Sequence, residues 1–283
     1  MKEVTIAGVP EHFNLPWHLA LEEGALEDRG LEVTWLNVPE GTGRMCELLN
    51  NRTVDMAVVL TEGALRHAAK GNPLVILQEY VGSPLLWGIH VAAQSEHEQL
   101  RDLKDAPIAV SRIGSGSHLM AMVHVQSLGW STDSLDFRII NHLDGAVAYL
   151  RENPEAYFLW EHYTTKPLVE QGHFKRLGDF PTPWPCFVIV AHPEFVKTRQ
   201  GVIRHTLETI NRYSKEIKDI PSIDRTFSNR YGQELEEIQA WLSTTEWSQS
   251  QISKETLQEV TEKLRSLKVL EQPLDIESLL YQA

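Results

Sequence analysis

The sequence lacks basic clusters and long apolar runs, and both absences exclude classes of partner. In 283 residues there are 39 acidic side chains against 26 Lys and Arg, which gives a formal net charge of −13. Nucleic acid and anionic lipid surfaces repel such a chain, because no Lys/Arg patch offsets the acids. No segment approaches the roughly 20 apolar residues of a membrane-spanning helix. We therefore expect neither nucleic acid nor a membrane as a partner.

Motifs for metal and redox chemistry are also missing. The two cysteines, Cys46 and Cys186, form neither a CxxC motif nor a zinc-ligand spacing. The twelve histidines are scattered, and no His-x-x-x-His pair occurs with a glutamate. The sequence therefore predicts no metal and no cofactor, and it leaves the roles of the two cysteines open.

The N-terminus shows none of the parts of a secretory signal. Met1 and Lys2 lead directly into "EVTIAGVP", which is typical of a first core strand. Unless a signal segment has been removed from the sequence, this start and the scarcity of cysteine predict a cytoplasmic location.

Alternating strand and helix patterns predict an α/β protein with two lobes. Four apolar runs alternate with helical spacing in the first eighty residues: "VTIAGV", "LEVTWLNV", "VDMAVVL" and "PLVILQEY". The rhythm restarts at "DLKDAPIAV", and after about Pro193 the pattern is mostly helical. We predict a mixed, mostly parallel sheet flanked by helices in each lobe. Residues 1–88 plus 193–283 would form lobe 1 with the C-terminal helices, and residues 89–192 would form lobe 2.

A short internal repeat supports two lobes of similar plan. "LLNNRTVDMAVVLTEG" and "YLRENPEAYFLWEHY" each run from a helix end through a polar turn into an apolar strand. Aligned on Glu62 and Glu161, they place Ala57 opposite Ala156. Because ligands of open parallel sheets bind beyond the carboxyl ends of the strands, polar loops there predict a site. We expect a ligand cleft between the lobes, with hinges near residues 84–92 and 182–192.

Loops that follow the predicted strands supply the candidate ligand-binding residues. These are His12, Phe13, Asn14, Trp17, Gly41, Thr42, Gly43, Thr61, Glu62, Ser83, Ser111, Ser115, Gly116, Ser117, His118, Trp160, Glu161 and Trp184.

The loop "SRIGSGSH" carries the clearest chemical signal. Its glycines and serines at a helix start would offer N–H and O–H donors to a carboxylate, sulfonate or phosphate. An ordinary N-cap explains the same residues equally well. No Gly-Lys-Ser/Thr follows, so the loop is not a Walker motif, and the order differs from Gly-x-Ser-x-Gly, so Ser117 is not predicted to be a nucleophile. We assign no catalytic residue.

The remaining loops each have a functional and a structural interpretation. His12, Phe13, Asn14 and Trp17 would suit a planar heterocycle, or Phe13 and Trp17 belong to the core. Thr42 between two glycines would cradle oxygen atoms or only form a turn.

Two segments of the second half also carry candidate residues. Glu161, after Trp160, would bind an amino group or a protonated ring nitrogen, or it only precedes a helix. The proline-rich segment that holds Trp184 between Pro183 and Pro185 would form a rigid wall at the cleft or at a hinge, with Trp184 covering the ligand.

The order of these parts resembles a known family. "LNVPEGTGRMCELLNNRTVDMAVVLTEG", followed by "DLKDAPIAVSRIGSGSH", is similar to the NMT1/THI5-like family of thiamine-pyrimidine-precursor synthases and of sulfonate, nitrate and pyrimidine binding proteins, over about residues 3–200. The segment "LWEHYTTKPLV" resembles a cytoplasmic subgroup without export signals. The resemblance implies the type II periplasmic-binding-protein fold, with the loops named above lining the cleft.

This sequence departs from the synthases of that family. Their cysteine-rich iron motif is reduced to Cys186, and the nearest lysine to Glu62 is Lys70, so the lysine that holds pyridoxal phosphate has no clear counterpart. We therefore expect a binding protein for a small planar or anionic metabolite. The alternatives are a cytoplasmic enzyme of thiamine or another cofactor pathway, with Glu62, Glu161, His12 or His118 as its base, and an interaction protein with a vestigial cleft.

Overall fold

The computed structural model describes residues 1–282 and contains two separate mixed sheets. The strands are β1 (Lys2–Gly8), β2 (Leu31–Asn37), β3 (Met56–Leu60), β4 (Val75–Val81), β5 (Leu86–Ala92), β6 (Ile108–Val110), β7 (Phe137–Ile139), β8 (Tyr157–Glu161), β9 (Phe174–Pro181) and β10 (Phe187–Ala191). Their orders are β2-β1-β3-β10-β4 and β7-β6-β8-β5-β9. In each sheet a single strand, β10 or β5, runs antiparallel to both neighbours, and the other four strands share one direction. The mixed, mostly parallel arrangement predicted from the sequence is confirmed.

Helices connect the strands and form most of the C-terminal segment. They are α1 (Leu15–Glu22), α2 (Thr42–Asn50), α3 (Thr61–Ala69), α4 (Gly116–Ser127), α5 (Leu143–Glu152), α6 (His162–Glu170), α7 (Pro193–Thr198), α8 (Gln200–Glu216), α9 (Ile223–Tyr231), α10 (Leu235–Thr244), α11 (Lys254–Ser266) and α12 (Ile276–Leu279). None of the helices within residues 1–282 combines the length and the apolar character needed to cross a membrane.

The chain divides into two units. Unit 1 contains Met1–Pro84 and the chain from Trp184 onward, and unit 2 is the continuous segment Leu85–Pro183. The sequence placed the division after residues 88 and 192, which differs at both ends. All of β5 pairs with β8 and β9, and all of β10 pairs with β3 and β4, so the chain changes sheet before each of these strands begins.

Burial explains the clearest strand signals, although the edge strand β2 was also predicted, from the run "LEVTWLNV". β3 and β10 are buried on both faces in the middle of their sheet, and their sequences are continuous apolar runs. β9, which no apolar run predicted, is an edge strand of mixed polarity that ends at Pro181. Edge strands tolerate polar side chains and proline because the backbone on one side of the strand forms no hydrogen bonds to a neighbouring strand.

Candidate functional site

The candidate residues of unit 1 lie at the carboxyl edge of its parallel strands. Thr61 and Glu62 open α3 directly after β3. Trp184 precedes β10, and because β10 is antiparallel it begins at the same edge. The Trp184 indole Nε1 donates to Glu62 Oε2 at 2.9 Å, and Thr61 Oγ1 donates to the carbonyl of Pro185 at 2.6 Å. Glu62 is 3% and Trp184 5% exposed, so the indole is fixed on this carboxylate and is not a loose cover.

Glu62 is a buried carboxylate on α3, and Arg66, one helical turn further along, is the positive charge that acts on its pKa. Burial raises its pKa, and the hydrogen bond from Trp184 acts in the opposite direction. A carboxylate in such surroundings is suited to binding a donor or exchanging a proton.

The turn at His12–Asn14 is buried beneath the C-terminal helices. The His12 ring stacks on Phe13 and meets the edge of Trp241 in α10, with ring centroids 4.8 and 4.2 Å apart. Tyr80 and Trp247 both donate to the Phe13 carbonyl, at 2.8 and 3.0 Å. Burial lowers the pKa of His12 to about 3, so the ring is neutral near pH 7. The aromatic side chains here form a core cluster, not an open face for a heterocycle.

Other unit 1 candidates hold the edge together. Trp17 is fully buried, in agreement with its core interpretation, and Asn14 Nδ2 donates to the Val9 carbonyl at 2.8 Å. Thr42 Oγ1 accepts from Leu60 N–H at 3.0 Å, which ties the start of α2 to the end of β3. The flanking Gly41 and Gly43 are half-buried and exposed, respectively, and Ser83 Oγ accepts from Glu246 N–H at 3.0 Å.

In unit 2, three serines meet at the start of α4. Ser115 is the N-cap, and its Oγ accepts from His118 N–H at 3.2 Å. Ser117 Oγ accepts from Ser111 N–H at 3.0 Å and lies 3.3 Å from Ser111 Oγ and 3.0 Å from Ser115 Oγ. The N-cap interpretation is therefore confirmed, while the hydroxyl cluster goes beyond what a cap requires.

Counting donors shows a surplus in this cluster. Three hydroxyl hydrogens serve two hydroxyl–hydroxyl contacts, so at least one hydrogen is left for another acceptor. Gly116 and Ser117 occupy the first helical positions, where backbone N–H groups have no acceptor inside the helix. Arg112, in the same loop, is exposed and makes no ion pair within residues 1–282. The α4 start can therefore donate several hydrogen bonds to an anion.

Glu161 lies on the strand next to this cluster. It is the last residue of β8, the neighbour of β6, and it caps α6: Thr164 donates to Glu161 Oε2 through both N–H and Oγ1, each at 2.7 Å. The other carboxylate oxygen, Oε1, is buried and has no hydrogen-bond partner within residues 1–282. Burial raises the pKa of Glu161, against the bonds from Thr164.

Two further candidates of unit 2 are partly exposed. Trp160 is half-buried, and the His118 ring packs on Phe137 at 4.4 Å between centroids while its Nδ1 accepts from Gly114 N–H at 3.3 Å.

A polar network behind Glu161 was missed by sequence reasoning. Arg176 on β9 donates to the His162 carbonyl at 2.8 Å and to His90 Nε2 at 3.3 Å, and the His162 ring contacts Asp179 at 2.7 Å. Burial, followed by the charge of Arg176, lowers the pKa of His90 to about 3. These residues come from two strands, β5 and β9, and from helix α6, so no local motif could reveal them. Within residues 1–282, no three His, Cys, Asp or Glu side chains gather as metal ligands.

Comparison with known proteins identifies the fold. Residues 87–180 match a family model described as "Ca3427-like PBP". No curated protein matches the chain. The structure of the Candida albicans CA3427 gene product is described as defining a new family with the generic periplasmic binding protein fold. That protein is 26% identical in sequence to this chain and superposes on it with a TM-score of 0.91. The alignment covers 100% of this chain and 97% of that one.

Sulfonate-binding proteins are also structurally similar. The alkanesulfonate-binding protein SsuA of Xanthomonas axonopodis pv. citri, bound to MOPS, is 16% identical with a TM-score of 0.82, over 100% of this chain and 99% of that one. SsuA of Escherichia coli, a periplasmic aliphatic sulphonate binding protein, is 18% identical with a TM-score of 0.76. The alignment covers 100% of this chain and 92% of that one. The chain has the two-lobed periplasmic-binding-protein fold predicted from the sequence, and the matches do not single out the NMT1/THI5-like family.

Proposed function

We propose that this chain binds a small molecule with an acidic group, and that the start of α4 holds that group. The observation that carries the proposal is the donor surplus of the serine cluster, placed at a helix N-terminus at the carboxyl edge of a sheet. The exposed Arg112 adds a positive charge to the same loop. Structurally similar proteins that are named for binding sulfonates support an oxyanion as the acidic group.

We propose that the strand-end loops of unit 1, notably Thr61 and Glu62, contribute to ligand binding as well. We also keep the NMT1/THI5-like relationship and its thiamine-precursor ligands as candidates, on the motifs quoted above. The two cysteines are free and buried, which is compatible with the proposed cytoplasmic location.

A change of one N-cap tests the proposal. Asp is as good an N-cap as Ser, so Ser115→Asp keeps the bond to His118 N–H while it removes a donor and places a negative charge at the anion site. We expect wild-type protein to bind propane-1-sulfonate saturably in isothermal titration calorimetry. Ser115→Asp should weaken that binding about 100-fold or more, equivalent to about 2.7 kcal/mol.

Ser253→Asp is the matched control. Ser253 caps α11 in unit 1 and its side chain likewise accepts from a backbone N–H, that of Thr256, at 3.0 Å. The control should bind the sulfonate as the wild type does. Absence of saturable binding to propane-1-sulfonate, butyrate and methyl phosphate, or unchanged binding in Ser115→Asp, would refute an anion site at α4.

Catalysis is the second candidate function, favoured by Glu62 and Glu161. Both carboxylates are buried with raised pKa, as expected of general bases. Mass spectrometry of the bound ligand before and after incubation separates the two functions, because an enzyme releases a changed molecule and a binding protein returns the same one.

A further inference from the structure

Glu161 has one carboxylate oxygen in use and one without a partner. Thr164 supplies two donors to Oε2, which is enough to cap α6. Oε1 is shielded from solvent and has no partner with hydrogen-bond geometry within residues 1–282, although the backbone N–H of Tyr163 in the same helix turn also favours the ionised carboxylate. An unmet buried carboxylate oxygen is costly to a fold, and the capping role does not require it.

The position of this oxygen relates it to the anion site. β6 and β8 are hydrogen-bonded neighbours with Ala109 opposite Phe158, so Ser111 and Glu161 both lie just beyond the paired residues at the same edge. Adjacent strands lie about 5 Å apart. α4 also packs against β8. The donor-rich loop and the carboxylate without a donor therefore belong to one edge of one sheet.

We propose that Glu161 Oε1 accepts a hydrogen bond from an N–H group of the ligand, so that the ligand carries an ammonium or amidinium-type nitrogen beside its acidic group. This inference rests on the proposed function, because the acidic group occupies the start of α4. The ligand class is then zwitterionic: an amino acid, an aminosulfonate or a similarly charged heterocycle. A simple anion would leave Oε1 without a donor and place two negative groups side by side.

Three sulfonates of equal chain length test the inference in the full-length protein. Propane-1-sulfonate lacks nitrogen, 3-aminopropane-1-sulfonate carries N–H donors, and 3-(trimethylammonio)propane-1-sulfonate carries the charge without donors. Calorimetry should give the amino compound a dissociation constant about ten-fold or more below that of propane-1-sulfonate. This ratio corresponds to a gain of about 1.4 kcal/mol in binding free energy. The trimethylammonium compound should show no such gain, because its nitrogen cannot donate.

Glu161→Gln identifies the acceptor. The amide oxygen can still accept from Thr164, while the amide NH2 replaces the free oxygen, so the advantage of the amino compound should disappear. Propane-1-sulfonate should bind at least as tightly as to the wild type, because the neighbouring carboxylate charge is gone. Glu234→Gln is the control, since Glu234 is the N-cap of α10 without a side-chain capping bond, and it should keep the advantage.

Each outcome has a distinct meaning. Equal binding of the amino compound and propane-1-sulfonate by the wild type overturns the inference and leaves the anion site standing, even if Glu161→Gln fails to fold. An advantage that persists in folded Glu161→Gln also overturns it. If none of the three sulfonates binds, the proposed sulfonate-type anion site fails, and this inference with it.

Discussion

Buried histidines dominate the titration behaviour expected at the residue scale. His12, His90 and His124 are at most 3% exposed, and burial is the largest cause of the lowered pKa of each. Each ring must lose its hydration to fold, which favours the neutral form. Glu62 and Glu161, with raised pKa values, have the opposite effect on stability in acid.

His124 offers a clean test of this behaviour. Burial lowers its pKa from 6.5 to about 4, so between these values the unfolded chain binds the proton and the folded chain does not. Its contribution to the free energy of unfolding is complete above pH 6.5 and falls by about 1.4 kcal/mol per pH unit as acid is added. Urea unfolding over this range should show a shallower pH slope for His124→Gln than for the wild type.

His173→Gln serves as the reference, because His173 is exposed. It should reproduce the wild-type slope. Identical slopes for His124→Gln and His173→Gln would mean that His124 does not resist protonation in the folded state.

Sequence patterns predicted the role of residues that act on their immediate neighbours in the chain. Ser115 and Glu161 lie directly before helices, and both are N-caps as their sequence context suggested. The bond between Trp184 and Glu62 joins residues 122 positions apart, and Trp241 reaches the His12 ring from the C-terminal helices. Such contacts depend on which strands become neighbours, which single-residue patterns do not encode.

Packing against backbone decides which glycines are required at the element scale. Gly145 lies in the first turn of α5, and a Cβ there would be 1.9 Å from the Ile140 carbonyl oxygen. Gly201 lies in the first turn of α8, and a Cβ there would meet nothing within 4 Å. Both glycines therefore lie in the first turn of a helix, but only Gly201 has room for a methyl group.

Replacement of each by alanine should therefore change stability in opposite directions. Ala is favoured over Gly in helices, so Gly201→Ala should raise the free energy of unfolding by up to about 1 kcal/mol. Gly145→Ala should lower it by about 1–3 kcal/mol, because the backbone must move to admit the methyl group. Thermal and urea unfolding measure both. A stabilised Gly145→Ala variant would show that the Ile140–Gly145 turn yields easily.

The element-scale pattern also explains the limits of sequence analysis. Central strands were found because their two buried faces require continuous apolar runs, as in "MAVVL" of β3. The edge strand β9 and the short helices α7 and α12 were not, because little of their surface is committed to the core. The strand order, with one antiparallel strand inserted in each sheet, follows from pairing between distant segments and left no local trace.

At the scale of the whole molecule, unit 2 has the properties of an inserted domain. All five strands of its sheet come from Leu85–Pro183, and one core cluster of the unit is formed by Ala92, Ala109, Ile140, Ala146, Leu150, Phe158 and Phe174. Its two ends are adjacent, since Thr182 N–H donates to the Leu85 carbonyl at 2.9 Å. Neighbouring ends are typical of segments that fold on their own.

We expect residues 85–183 to fold as an isolated fragment. Circular dichroism should show mixed α/β structure and one cooperative thermal transition. The fragment 89–192, which has the boundaries suggested by the sequence, should aggregate instead, because it truncates β5 and exposes the apolar strand β10 without partners. Cooperative folding of 89–192 alone would contradict the observed division.

The place of β10 between β3 and β4 has a consequence for synthesis on the ribosome. β10 is the last strand along the chain, so the edges of β3 and β4 that it joins stay open until Ala191 has emerged. Unit 2 can complete its own sheet first, once Pro181 is free of the exit tunnel. The nascent chain thus carries a finished unit 2 and an unfinished first sheet. The apolar strands β3 and β4 lack their β10 partner in that state and are prone to pair with other chains. Slow translation before Ala191 would prolong this vulnerable interval, whereas a pause after it would not.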